Sequence, residues 1–186
     1  MQNNEIIYCR ASSNEELNQI LKLQKLNLPR ALSLSEKEHE GFVTVDHTFE
    51  ILKQMNDYCP HVIAKQGENV VGYTLCMHPK FADGIEILKP MFKEIDKVLY
   101  NHEKYIVMGQ VCVDKSYRKK GIFRGLYNFM KKELKETFHY IITEVDAKNT
   151  RSLSAHLAIG FKIIKEFYAD DTDWIIISLN CNTPQT

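Results

Sequence analysis

The chain has 186 residues, 44% hydrophobic and 26% charged, which suits one globular domain long enough to bury a sizeable core. Its 24 basic and 24 acidic residues cancel, so no global field favours nucleic acid or an anionic membrane. No apolar run approaches the ~20 residues of a membrane span, and the start, Met-Gln-Asn-Asn-Glu, lacks the basic and apolar regions of a signal peptide.

The alternating segment Glu5 to Arg10 predicts a first strand. Ser13-x-x-Glu16 is a capping box that opens a helix to about Leu26, with Leu17, Ile20, Leu21 and Leu28 on one face and Pro29 as its stop. A second capping box, Ser35-x-x-Glu38, precedes Gly41 to Asp46, and Phe49, Leu52 and Met55 mark another helix that ends before Pro60. His61 to Lys65 and Val70 to Met77 read as a hairpin around Gln66-Gly67-Glu68-Asn69. An inserted segment at about 78–104 contains Pro79, Gly84 and Pro90 and a short helix from Met91 to Leu99. Then come a strand from Tyr105 to Val113, a helix from Gly121 to about Glu136 and a strand from Tyr140 to Val145. A helix from Asn149 to Ile159 and strands Lys162–Ala169 and Asp173–Asn180 close the chain. This order predicts a single mixed α/β domain over 1–186, built on one central sheet flanked by helices.

The five cysteines, Cys9, Cys59, Cys76, Cys112 and Cys181, are scattered, odd in number and without a Cys-x-x-Cys pair. That spacing points to reduced thiols in a cytoplasmic protein and to no zinc site. Cys112 lies in an apolar run with no neighbouring histidine, the setting of a packing cysteine more than of a nucleophile.

The stretch Val111 to Gly125 carries the strongest chemical signal. A β-branched run ending at Val113 passes through a basic turn and opens a helix at Gly121, with apolar positions at Ile122, Leu126, Phe129, Met130 and Leu134. First-turn N–H groups and the positive end of the helix dipole suit an anion of diphosphate type. Arg118, Lys119, Lys120 and Arg124 surround that point with charge, while Gly121 and Gly125 leave the backbone open to a phosphate.

Arg118-Lys119-Lys120-Gly121-Ile122 after Val113 resembles the acyl-CoA signature of the GNAT superfamily of N-acetyltransferases, Arg/Gln-x-x-Gly-x-Gly/Ala. Phe123 departs from it, standing where Gly or Ala is usual. A second block, Asn149-x-x-Ser152 with Gly160-Phe161, resembles the superfamily's Asn-x-x-Ala/Ser-x-x-x-Tyr-x-x-x-Gly-Phe, with His156 in place of the Tyr.

The resemblance implies a mostly antiparallel sheet of about seven strands and acetyl-CoA as co-substrate, with no metal. It implies a small-molecule or peptide amine as acceptor, no nucleic-acid or membrane partner, and leaves room for a homodimer. It places the cofactor at Val111, Val113, Arg118, Lys119, Lys120, Gly121, Ile122, Phe123, Arg124, Gly125, Asn149 and Ser152. It makes His156 the candidate acid that returns a proton to the CoA thiolate, and Glu144 the candidate base for the attacking amine, against a water chain in that role. Two other readings stand beside it: a CoA-binding sensor or interaction module that has lost catalysis, and a nucleotide- or nucleic-acid-binding protein that uses the basic loop. For the acceptor, Phe42, His47, Phe81 and Tyr168 are as well suited to the core as to a pocket.

Overall fold

The computed structural model describes residues 5–31, 43, 45–99 and 104–183. Seven strands form one sheet in the order β1-β2-β3-β4-β5-β7-β6. They are β1 Ile6–Arg10, β2 Val62–Gln66, β3 Asn69–Met77, β4 Tyr105–Val113, β5 Tyr140–Asp146, β6 Lys162–Ala169 and β7 Thr172–Asn180. The helices are α1 Asn14–Lys25, α2 Phe49–Tyr58, α3 Lys89–Val98, α4 Ile122–Leu134 and α5 Thr150–Leu157. The chain divides into two compact units: Met1–Cys76 with Met108–Lys132, and Met77–Val107 with Glu133–Thr186.

In the first unit β1 and β2 pair antiparallel from Ile6↔Gln66 to Arg10↔Val62, and β2 continues antiparallel onto β3 with an irregularity at Ala64/Lys65. α1 begins at the expected capping box, in which Ser13 Oγ accepts from the Glu16 N–H at 3.2 Å and Glu16 Oε2 accepts from the Ser13 N–H at 3.2 Å. The other Glu16 oxygen meets Lys65 of β2 at 2.9 Å, so the cap also ties the helix to the sheet. α1 and α2 pack together, burying Leu17, Ile20, Leu52 and Met55, each contributing ~1.5–3 kcal/mol of apolar burial. Gln24 and Asn27 are also buried among these apolar positions. Ile122 and Leu126 of α4 lie against β3 beside Gly72.

In the second unit Tyr105, Ile106 and Val107 of β4 pair parallel with Tyr140, Ile141 and Ile142 of β5. β5 runs antiparallel to β7 from Tyr140↔Asn180 to Asp146↔Trp174, and β6–β7 is a hairpin. Its turn residues Asp170 and Asp171 both have positive φ, at 48° and 55°, as a type I′ turn requires. The segment expected to hold one short helix has two 3-10 turns first, Pro79–Gly84 and Glu86–Leu88, and α3 starts at Lys89, ahead of the expected Met91. Pro90 explains the earlier start, since proline in a first turn gives up an N–H that has no partner there. The capping box at Ser35, and Gly41, Phe42 and Thr44 of the segment after it, lie outside the described residues.

Candidate functional site

One group of candidate residues grows out of β4 in the first unit. The strand ends at Val113, and the Asp114 N–H donates to the Val71 carbonyl at 2.9 Å, which holds the exit of the strand against β3. Asp114 Oδ1 then accepts from the Ser116 N–H at 2.8 Å, starting the 3-10 turn Lys115–Tyr117. Tyr117 anchors the turn by donating from its hydroxyl to Gln66 at 2.6 Å, and Lys120 Nζ sits 4.8 Å from the centre of the Tyr117 ring. The backbone reaches the left-handed region at Lys119, φ 62°, and again at Gly121, φ 78°. These two reversals turn the chain from the strand into α4, whose first-turn N–H groups have no preceding turn to bond. Its chain neighbours aside, no atom of the described residues lies within 4 Å of where a Gly121 side chain would start, so the backbone there faces open space.

Of the residues read from the sequence, Lys119, Lys120 and Arg124 are exposed, and Val111, Val113 and Arg118 are half-buried. Ile122 faces inward at 2% exposure, so its contribution to a ligand is its backbone. Phe123 turns its half-buried ring onto Tyr127, edge to face with centres 5.1 Å apart, which leaves its bulk beside the helix. Gly125 serves packing, where openness to a phosphate was expected: a Cβ there would lie 2.1 Å from the Tyr8 hydroxyl and 2.2 Å from its Cζ. The Tyr8 ring of β1 occupies the space that the missing side chain leaves.

A second group lies on β5 and α5 in the second unit. Asn149 is the N-cap of α5, and its Oδ1 accepts from the Ser152 N–H at 3.2 Å, so the Asn-x-x-Ser spacing is in part a helix start. One turn later His156 is 1% exposed. Its Nδ1 is 2.7 Å from the Ser152 carbonyl oxygen, which can only accept, so Nδ1 carries the proton. The Phe161 ring stands edge-on to the imidazole at 5.1 Å, and the Phe161 N–H donates to the His156 carbonyl, which accounts for the spacing from His156 to Gly160-Phe161. Burial pushes His156 down to about 4, partly countered by the Ser152 carbonyl. The ring is therefore neutral at pH 7.

Glu144 is half-buried on β5, opposite Ile176 of β7. Burial, and secondarily the Asp170 carboxylate, push it up to about 8. A carboxyl group so placed changes protonation near neutral pH, as a general base must. Cys112 is pushed the other way for a nucleophile, up to about 12 by burial. Among the candidate acceptor residues, His47 is buried, Phe81 is half-buried, Tyr168 is exposed and Phe42 lies outside the described residues.

Sequence reasoning missed the polar groups beneath the basic loop. Gln24, Asn27 and Gln110 are buried, and Asn27 Oδ1 accepts from Arg118 Nη2 at 2.8 Å. The available signal was a pair of amides, three residues apart, at the apolar end of α1.

Comparison with known proteins bears on both groups. The model of the acetyltransferase (GNAT) family matches residues 22–161, well over half of the chain. None of the curated proteins matches this sequence. Among solved structures, the ribosomal-protein-S18-alanine N-acetyltransferase from Escherichia coli superposes with a TM-score of 0.63 at 12% identity, covering 97% of this chain and 96% of that one. Arabidopsis thaliana NAA60 in complex with acetyl-CoA gives 0.64 at 15% identity, with 95% and 99% covered. YncA, a putative acetyltransferase from Salmonella typhimurium with its cofactor acetyl-CoA, gives 0.64 at 13%, with 96% and 95% covered. At these identities the likeness is one of fold. By the family match over residues 22–161, this chain belongs to the acetyltransferase (GNAT) family.

Proposed function

We propose that this protein transfers an acetyl group from acetyl-CoA to a primary amine of a small molecule or peptide. The observation that carries the reading is the turn from Val113 to Ile122, where left-handed backbone at Lys119 and Gly121 presents the start of α4 to open space under a cluster of basic side chains. In this reading the α4 start and the loop backbone hold the CoA diphosphate, with Lys119, Lys120 and Arg124 adding charge. Asn149 and Ser152, in the second unit, are the further cofactor residues that the resemblance implies. Two of the compared structures hold acetyl-CoA, and a third is named for acetylating an alanine of a ribosomal protein, which supports both the donor and an amine acceptor.

The chemistry is direct attack in a ternary complex. The amine reaches the thioester as the free base, its proton removed by ionised Glu144 or by a water that Glu144 orders. As the C–S bond breaks, the sulfur takes the electron pair. A thiolate forming near His156 raises the affinity of that imidazole for a proton, so the ring accepts one from the amine nitrogen of the tetrahedral intermediate and delivers it to sulfur. The nearby-charge effect supplies what the buried neutral ring lacks at rest.

A second reading, a CoA-binding module without turnover, is favoured by that same neutrality of His156. Thiol release from acetyl-CoA, measured with a panel of amino acids, polyamines and peptides with free N-termini, separates the two. Release that depends on one amine class is expected. Tight acetyl-CoA binding without release across the panel contradicts the enzyme reading.

A further inference from the structure

Asn27 lies two residues past the end of α1 and is 3% exposed. Its N–H donates to the Gln24 carbonyl at 2.9 Å, and its Nδ2 donates to the Leu23 carbonyl at 2.8 Å. A side-chain amide pinned through its nitrogen presents its oxygen in one direction. That oxygen accepts from Arg118 Nη2 at 2.8 Å, while Arg118 Nε donates to the Val113 carbonyl at 3.2 Å. Two acceptors on separate nitrogens of a planar guanidinium restrain its orientation as well as its position. Arg118 immediately precedes Lys119, whose φ of 62° is costly for a residue with a side chain and persists only where its flanks are held.

The same helix end also holds a neighbouring segment. The Asn27 backbone carbonyl accepts the Val43 N–H at 3.1 Å and Gln24 Oε1 accepts the His47 N–H at 3.0 Å, while Gln110 Nε2 donates to the Val45 carbonyl at 2.8 Å. Gln24 and Gln110 are themselves bonded at 2.9 Å. Asn27 is thus shared between this amide network and the basic turn, and it belongs to neither recognised signature block.

We propose that Asn27 is a positioning residue for acyl-donor binding: through Arg118 it holds the turn 114–121 in the shape that receives the diphosphate. The ligand named here rests on the proposed acetyltransferase reading, whereas the order of the turn does not. Asn27→Ala removes the acceptor from Arg118. Asn27→Asp keeps an oxygen for the guanidinium and gives up the bond to Leu23, which separates the link to the turn from the internal bracing of α1.

The test combines hydrogen exchange over residues 115–121 of the unliganded protein with acetyl-CoA calorimetry, on wild type and both variants, with thermal melts as the folding control. Asn27→Ala is expected to speed exchange in the turn and to weaken acetyl-CoA binding by about fivefold or more, the scale of one buried hydrogen bond, with a smaller change in kcat at saturating donor. Asn27→Asp should recover most of both. A lowered Tm with unchanged exchange and affinity, or an aspartate variant whose turn is as loose as that of the alanine variant, overturns the proposal. Should the alanine variant fail to fold, wild-type turn exchange in Asn27→Asp supports the link and a loosened turn refutes it. If wild-type protein binds no acetyl-CoA, the functional reading fails, and the exchange arm alone still decides whether Asn27 holds the turn.

Discussion

Glu144 shows how one residue acquires a chemical role from its surroundings. A carboxylic acid is ordinarily ionised above about pH 4.3, and such a group in water is a weak base at neutrality. Half-buried on β5 and facing the charge of Asp170, Glu144 is pushed up to about 8 and stays largely protonated at pH 7. If it is the base, turnover rises with pH through about 8 as the carboxylate forms. Glu144→Gln should then lower kcat/KM by about 10²-fold and remove that rising limb, with little effect on acetyl-CoA affinity. A pH–rate profile measured with a low-pKa amine, so that the acceptor's own titration lies elsewhere, checks this, and a variant that keeps the limb assigns the base to another group. The sequence offered Glu144 by position only. Its protonation depends first on burial and then on Asp170, 26 residues later in the chain, neither of which a local pattern announces. His156 is the converse case: its place in the second block was legible, but its burial was not, and burial makes it neutral at rest against the opposing pull of the Ser152 carbonyl.

At the scale of elements, local signals located most boundaries because they act within a few residues. The capping box at Ser13, the apolar stripe of α4 and the β6–β7 hairpin all fall where spacing placed them. What local reading lacked was the partner each element meets. Gly125 looked like a place for a phosphate to approach the backbone, yet its bare face is filled by Tyr8, a residue of β1 far away in sequence. Gly125→Ala should therefore force the Tyr8 ring aside and lower Tm by several degrees, on the scale of ~1–3 kcal/mol for overpacking. Adding Tyr8→Ala should return most of that loss as measured by thermal melts, since the clash is pairwise. If the double variant is simply the sum of two losses, the contact is not what keeps this position glycine. In the same way nothing local singled out Gln24 and Asn27, because their partners Gln110, His47 and Arg118 come from three other segments.

For the whole molecule, the balanced charge of the sequence hides an asymmetry in titration. His47 and His156 are pushed down to about 4 and His61 to about 3, each chiefly by burial. Their folded values lie below the unfolded value near 6.5, so between about pH 6.5 and 4 the unfolded chain binds protons that the folded chain refuses. Stability from these groups is present above pH 6.5 and is lost as pH falls through that window. Glu144, pushed up to about 8, works in the opposite sense, so thermal melts should show Tm falling from pH 6.5 to pH 5, each fully titrating histidine costing about 1.4 kcal/mol per pH unit and Glu144 returning about as much as one of them. A Tm that is flat over this range contradicts the burial of these rings as neutral groups. No described helix is long and apolar enough to cross a membrane. The fold class was legible throughout, since the alternation of strands and helices constrains the sheet.

The central claim is that the start of α4, reached through Gly121, is where the donor's diphosphate sits. Calorimetry of acetyl-CoA with wild-type and Gly121→Asp protein tests it most directly, with thermal melts confirming that the variant is folded. A carboxylate at Gly121 would face the bound anion, and the backbone there, at φ 78°, also suits glycine better than any other residue. The account predicts binding at least about tenfold weaker, or ~1.4 kcal/mol. Unchanged affinity in a folded Gly121→Asp protein would contradict it.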